Sequence, residues 1–338
     1  LSKNSIGKTN YLAFVLLLSS LGIGIVNAFG VDTSLEKFLS SAKVSLPTDL
    51  SLPSMPDGRH YPLVPSDPSE IAELISDLES ALRNPATPKK LLPRLGHQQQ
   101  VIYRFLAKDL RLSDQVLLRL ASQWQEIAGL HLLARRQFLS MRSTSVGPSF
   151  MPKWRIIKPE PPEKLLTYYK KAERETGIDW EVLAAVNLVE TGMGRIDGVS
   201  IANAQGPMQF LPSTWAEKGI GNNGDIRNPH DAIQAAARYL VRRGGLSDIS
   251  KGLWGYNNSS YYGKAVLAYS KLMKDDPLVF IGLYHWEIHY RVGSYDLWLP
   301  VGYSQNESIP ISTYLKLFPA SAPPPTTLPS RYLNPSRG

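Results

Sequence analysis

Asp179 precedes the run Trp180-Glu181-Val182-Leu183-Ala184-Ala185-Val186-Asn187-Leu188-Val189-Glu190, and Thr191-Gly192 follows it. Asp179 is of the type that caps a helix start and Gly192 of the type that stops one. Nearly every face between them is apolar, so the spacing predicts a buried helix. Glu190 falls in the last turn of that helix. There the negative end of the helix dipole and the loss of water both disfavour an ionised carboxyl, which therefore keeps its proton to higher pH. Such a group suits general-acid attack on an acetal oxygen, because the leaving alkoxide must be protonated as its bond breaks. Taken alone, a terminal Glu before Thr-Gly is more often a solvated helix end, so the assignment depends on what surrounds it.

Downstream, Ser200-Ile201-Ala202-Asn203-Ala204-Gln205-Gly206-Pro207-Met208-Gln209-Phe210-Leu211-Pro212-Ser213-Thr214-Trp215 is rich in small residues, which let backbone come close to a ligand. Ser213 is a candidate cap for a new helix there. Gln209 offers amide donors and an acceptor for sugar N-acetyl and hydroxyl groups, and Met208 an adaptable apolar wall. Leu253-Trp254-Gly255-Tyr256-Asn257-Asn258 then supplies a phenol and an amide that can face the same cleft. An ordinary glycosidase needs a second carboxyl as nucleophile or base. Glu173, Glu175 and Glu181 lie on helical text and read as solvated, while Asp197, Asp225 and Asp231 lie in turns or at helix starts. No second acidic motif accompanies Glu190.

Glu190-Thr191-Gly192, then Gly206-Pro207-Met208-Gln209-Phe210-Leu211-Pro212-Ser213-Thr214-Trp215, Tyr239-Leu240 and Tyr256-Asn257 resemble, in order, the motifs of the SLT-domain lytic transglycosylases of the lysozyme-like superfamily. The Gly-Pro-Met-Gln-Phe form and Asn228-Pro229-His230-Asp231-Ala232-Ile233 resemble the branch that includes membrane-bound lytic transglycosylase B and actinobacterial relatives. The likeness runs over residues 163 to 273 and lends nothing to the flanks. It implies a goose-lysozyme-type helical fold, a glycan cleft and one catalytic carboxyl at Glu190. Ser200, Met208, Gln209, Tyr256 and Asn257 fall where the family contacts substrate or holds the Glu. It implies scission of the β-1,4 bond between N-acetylmuramic acid and N-acetylglucosamine of peptidoglycan, closure of a 1,6-anhydro ring by the muramic C6 hydroxyl, and no cofactor. A lysozyme-type hydrolase with the same cleft stays open, as does a wall-binding or scaffold protein whose domain is inactive.

This sequence departs from the commonest family pattern at several places. Thr191 stands for Ser and keeps the hydroxyl; Asn203 stands for Gly at a turn and is the next residue to tolerate a left-handed backbone. Gly255 and Asn258 replace Ala and His beside Tyr256-Asn257. Gly221-Asn222-Asn223-Gly224-Asp225 lacks the spaced carboxylates of a calcium loop and reads as a turn, so no metal site is expected.

The fold class expected is mainly α. The pattern implies a lysozyme-like catalytic domain over 161–278, a small helical domain before it over 66–145, and a β-hairpin extension after it over 279–318. The first helical domain opens on Asp67-Pro68-Ser69-Glu70, a cap followed by a proline at the first helical position, ahead of Ile71, Leu74, Ile75, Leu78 and Leu82. His97-Gln98-Gln99-Gln100 within it reads as a solvated helix face. In the hairpin, Tyr284, Trp286, Ile288, Tyr290 and Val292 alternate with polar residues and make an aromatic face suited to packing on a neighbour. Lys3 and Lys8 precede an apolar run that ends at Val26-Asn27-Ala28, so 1–28 reads as a signal peptide or membrane anchor, followed by a Ser/Pro-rich linker over 29–65. Residues 319–338 read as a disordered Pro-rich tail.

The 338-residue chain is 43% hydrophobic and carries 37 Lys and Arg against 29 Asp and Glu, a formal charge of +8, with no cysteine. That content of apolar residues excludes a disordered chain, and the missing cysteines exclude a disulfide framework. The positive charge suits an anionic partner, read here as peptidoglycan strands and other anionic wall polymers. An export segment argues against nucleic acid, leaves the N-terminal segment as the only contact with membrane, and puts the folded part outside the cytoplasm.

Overall fold

The computed structural model describes residues 44–49, 51–141 and 147–325. The expected signal segment 1–28, the start of the expected linker and the end of the expected tail lie outside these residues. α1 (Pro68–Arg83) begins as its sequence dictates. Asp67 accepts from the Ser69 and Glu70 N–H groups at 2.7 and 3.2 Å, and the helix stops at Asn84 before Pro85. Its buried stripe, Ile71, Leu74, Ile75, Leu78 and Leu82, faces α2 (Leu92–Leu106). α3 (Leu110–Leu117), capped by Asp109, and α4 (Ser122–Ser140) complete this part.

The residues His97, Gln98, Gln99 and Gln100 overturn the expectation of a solvated face, being 2%, 2%, 4% and 5% exposed. A buried amide is tolerated when its donors and acceptor find partners in the protein, and here they do. Gln98 donates to Leu63 O at 2.7 Å; Gln99 donates to Glu79 at 3.0 Å and accepts from the Trp286 indole at 2.9 Å. Gln100 donates to Glu287 O and accepts from Glu287 N–H, both at 2.9 Å. His97 meets His289 at 3.0 Å between Nε2 atoms.

β1 (Trp154–Ile156) leads into α5 (Pro162–Thr176) and α6 (Trp180–Thr191). β2 (Ile196–Gly198) pairs antiparallel with β1, Arg155 opposite Asp197, and Trp154 lies so close over Gly198 that a Cβ there would stand 2.4 Å from the indole. A long loop carries α7 (Pro212–Trp215), and α8 (Pro229–Arg242), α9 (Ile249–Tyr256) and α10 (Ser260–Asp275) follow. α10 packs on both α4 and α6, while α5 packs on α6 and α8. α6 is thereby enclosed; Leu183, Ala184, Ala185 and Val186 are all 0% exposed. At about 1.5–3 kcal/mol per large apolar side chain fully buried, this enclosure anchors the element that carries Glu190.

After α11 (Val279–Tyr284), β3 (Ile288–Val292) and β4 (Tyr295–Leu299) form the expected hairpin, with Ile288 opposite Leu299 and Val292 opposite Tyr295. It is shorter than the alternation suggested. Tyr284 ends a helix, and Trp286, 8% exposed, plugs into Gln99 rather than continuing a strand. α12 (Ile311–Leu317) comes last, followed by a 3₁₀ turn, Pro319–Ser321. One apolar cluster draws residues from Val44 to Ala320, and a smaller one joins Met151, Ile156, Ile288, Leu297, Leu299, Tyr303, Ile311 and Tyr314.

Two segments read as linker and tail are partly folded onto these cores. Met55, Tyr61 and Val64 are buried among the prolines, and the Tyr61 hydroxyl donates to Asp296 O at 3.1 Å. Ser321 is 0% exposed and its hydroxyl donates to Trp298 O at 2.5 Å. Pro and Ser content marks irregular backbone, yet a few interspersed apolar side chains suffice to dock such backbone on a core.

Candidate active site

α6 is built as its apolar sequence requires, with one difference, at its start. Asp179 makes no capping bond; its carboxylate meets Lys274 at 2.7 Å, and Glu173 on α5 accepts from the Trp180 N–H at 3.1 Å instead. Glu173 is therefore engaged, and Glu181, only 9% exposed, is covered rather than solvated. At the other end Gly192 terminates the helix with φ 62. The two polar residues on the inner face, Asn187 and Thr191, are 1% and 0% exposed and stitch the helix to the following loop. Asn187 accepts from the Tyr169 hydroxyl at 2.6 Å and donates to Pro207 O at 2.8 Å. The Thr191 hydroxyl donates to the same carbonyl at 2.6 Å and accepts from the Gly194 N–H at 3.0 Å.

Glu190 stands at the end of this braced helix, partly covered. Its Oε1 accepts from the Tyr262 hydroxyl of α10 at 2.7 Å. Burial pushes its pKa up to about 7, and the Tyr262 bond, which favours the carboxylate, pulls the other way. No second carboxylate contributes to that shift among the described residues. A carboxyl poised there can give and take a proton near neutral pH, which is the property needed of one group serving as acid and then base.

Tyr256 and Tyr262 lie near-parallel, 6.4 Å between centroids, and the Tyr256 hydroxyl donates to Met208 O at 2.7 Å. The loop 205–210 is thus held from two sides, by α6 at Pro207 and by α9 at Met208. It folds back on itself through paired bonds between Gln205 and Phe210, 2.8 and 2.9 Å long. Gly206, at φ 72, presses against Ile226, where a Cβ would come within 1.9 Å of the carbonyl oxygen. Gln209 adopts φ 50 and Met193 φ 65, left-handed positions that cost a non-glycine residue on the order of 1 kcal/mol each.

Residues 167–271 match the family model of the transglycosylase SLT domain. The family is one of lytic transglycosylases acting on peptidoglycan glycan strands, and the mainly helical chain fits a lysozyme-like SLT domain. No curated protein and no solved structure matches the chain.

Within the SLT domain the residues singled out from sequence take different positions. Glu190, Tyr256 and Met208 belong to one hydrogen-bonded and ring-packed assembly, joined through Tyr262. Met208 is 0% exposed, so its side chain packs beneath the loop rather than offering an open apolar wall. Gln209 folds its amide onto Gly206 O at 3.0 Å, and Ser200 accepts from the Ala204 N–H at 2.9 Å, closing its own turn. Asn257 ends α9, its N–H bonded to Leu253 O at 3.0 Å. Among the described residues none of Ser200, Gln209 and Asn257 is hydrogen-bonded to Glu190. Ser213 does not cap α7, which starts from Leu211 with Pro212 in its first position.

The departures at Thr191, Asn203 and Gly255 find physical reasons; that at Asn258 has none in the structure. Thr191 uses the hydroxyl that it shares with Ser, and Asn203 occupies φ 66. Gly255 lies under the Arg243 side chain, where a Cβ would come within 2.7 Å of it. Asn222 and Asn223, at φ 50 and 61, form the expected turn, and the Asp225 N–H donates to Asp231 at 3.0 Å. The residue that sequence reasoning missed is Tyr262. Its only local signal was a place soon after Tyr256-Asn257, and its role depends on α10 crossing α6.

Proposed function

We propose that this chain is a peptidoglycan lytic transglycosylase that cuts the β-1,4 bond between N-acetylmuramic acid and N-acetylglucosamine and leaves 1,6-anhydro-N-acetylmuramic acid. The observation that carries the proposal is Glu190, with a pKa near 7, bonded to Tyr262 and, among the described residues, without a carboxylate partner. A two-carboxylate glycosidase would hold a second acid across the bond, about 5–9 Å away. With one acid, the substrate must supply the rest.

Protonated Glu190 gives its proton to the glycosidic oxygen as the bond from the anomeric carbon breaks, and the N-acetyl group of the muramic residue shields the positive charge that develops. The Glu190 carboxylate then takes the proton of the C6 hydroxyl while that oxygen bonds to the anomeric carbon, and the ring closes without water. Tyr262 keeps the carboxyl in place through both transfers. Ser200, Met208, Gln209, Tyr256 and Asn257 shape or support the glycan site, Met208 and Tyr256 by holding the loop. Within the family, the motif form favours the branch of membrane-bound lytic transglycosylase B.

The same reading makes the protein an exported one, carried by residues 1–28, that acts on anionic wall polymer in wall remodelling. The helical part 66–145 and the hairpin region 279–318 position the SLT domain. The test is mass spectrometry of fragments released from purified peptidoglycan by the protein and by its Glu190→Gln variant. Anhydro ends that vanish with the variant support the proposal. Reducing ends one water heavier would mean a hydrolase, and no release by folded, wall-bound protein would mean a scaffold.

A further inference from the structure

A cavity of about 400 Å³ lies against the loop 205–210. Gly206 and Pro207 line it, and the carbonyl of the next residue, Met208, is held by Tyr256 in the assembly around Glu190. The opposite wall is the β1–β2 ribbon, with Arg155 and Asp197, and Arg227 closes the end. None of the lining residues is aromatic, so the cavity lacks the flat ring on which a sugar stacks.

Its charges are unevenly matched. Arg155, Lys158 and Arg227 face Glu160 and Asp197. Both carboxylates are already neutralised. Asp197 pairs with Arg155 and, at 3.0 Å, with Arg227; Glu160 pairs with Lys164 at 3.1 Å. Each guanidinium has five N–H donors and directs one nitrogen at Asp197, so donors remain on both. Lys158 makes no ion pair among the described residues. Counting Lys164, four cations stand against two carboxylates, an excess of two positive charges. Ile157, Ile196 and Met193 supply an apolar lining beside them. Preorganised cations next to an aliphatic wall fit a carboxylate on a short aliphatic stem.

We propose that this cavity takes a carboxylate of the peptide branch that the glycan carries on its muramic residues, and so makes the enzyme prefer branched over bare strands. The inference rests on the reading of Glu190 as the bond-cleaving acid. Met193 and Gly194, three and four residues past Glu190, line the cavity, and Thr191 beside Glu190 donates to the carbonyl of Pro207 in its wall, so the cavity adjoins the end of the helix that carries the acid.

The experiment uses the full chain bearing Glu190→Gln, which stops turnover while leaving the cavity untouched. Dissociation constants are measured by calorimetry for a soluble glycan fragment with its peptide branches and for the same fragment after their removal. The expected result is a preference of about tenfold for the branched fragment, falling to near parity when Lys158→Glu is added. Lys158 is exposed, so this change leaves the fold intact, which circular dichroism checks; Arg227→Lys, keeping charge but losing the fork, is expected to reduce the preference partway.

Equal binding of both fragments by the protein with Lys158 present would overturn the inference, as would a preference that survives Lys158→Glu. Loss of the preference in millimolar inorganic phosphate, which competes for the same cations, would support a carboxylate held by charge, and a preference indifferent to phosphate and to salt would overturn it. Failure of both fragments to bind at all would strike the proposed function itself, a distinct result from a bare fragment that binds without preference.

Discussion

Replacing Glu190 by Gln keeps the size of the side chain and an oxygen to accept from Tyr262, but removes its proton equilibrium. The carboxyl has a pKa of about 7 in the folded protein against a value of 4.5 without the fold. A raised carboxyl pKa means that the folded state holds the proton more tightly than the unfolded one. Its contribution to stability is complete below pH 4.5 and is lost as pH rises through about 7. A shift of about 2.5 units at 1.36 kcal/mol each gives about 3 kcal/mol between roughly pH 4 and pH 8. The cost falls on the wild type alone, because Gln does not titrate. The variant is therefore expected to match the wild type in acid and to exceed it by about 3 kcal/mol near pH 8, on the order of 5 °C in midpoint for a chain of this size. Urea unfolding of both proteins across that range, followed by circular dichroism, reads the difference directly. Two stability curves that run parallel with pH would refute the argument that burial holds the Glu190 proton.

Further perturbations probe the parts that brace this carboxyl. Tyr262→Phe removes the bond that favours the carboxylate, so the Glu190 pKa should rise further. The high-pH limb of kcat/KM on peptidoglycan should then move to higher pH while the rate falls about tenfold, and an unmoved limb would show that Tyr262 does not act on the carboxyl. Thr191→Val takes away a donor to Pro207 O and an acceptor for the Gly194 N–H, with an expected loss of about 1–3 kcal/mol in urea unfolding. Gln99→Ala strips a partner from Glu79 and the acceptor from the Trp286 indole, and should cost about 2–4 kcal/mol; a solvated glutamine would cost no more than about 0.5.

Features set by short stretches of chain were legible in the sequence. Asp67 caps α1 because its carboxylate reaches N–H groups two and three residues on, and Gly192 stops α6 because glycine takes the left-handed backbone freely. The hairpin was legible as an alternating pattern, though not its register or length, and the helical character of the chain follows from apolar periodicity. Burial of α6 was legible too, since a helix apolar on every face has no side suited to water.

Polar residues were read less well. Gln99 meets Trp286 across 187 residues of chain, and the Tyr262 hydroxyl meets Glu190 across 72. Local pattern assigns a glutamine to water because water is the partner it can always find. Only the packed fold brings a second partner and makes burial tolerable. The same limit explains Met208, whose side chain is turned inward by the bonds at Pro207 and Tyr256, and the docking of Tyr61 and Ser321 from segments that read as linker and tail.

The sequence by itself determined the helical character of the chain, the cap at Asp67, the stop at Gly192, and a carboxyl at the end of an apolar helix, because these rest on interactions within a few residues. Tertiary structure alone decided how far water is excluded from Glu190, which hydroxyl holds it, and that Arg155, Lys158 and Arg227 share one cavity. Desolvation and charge depend on every group within several ångströms, whatever its place along the chain.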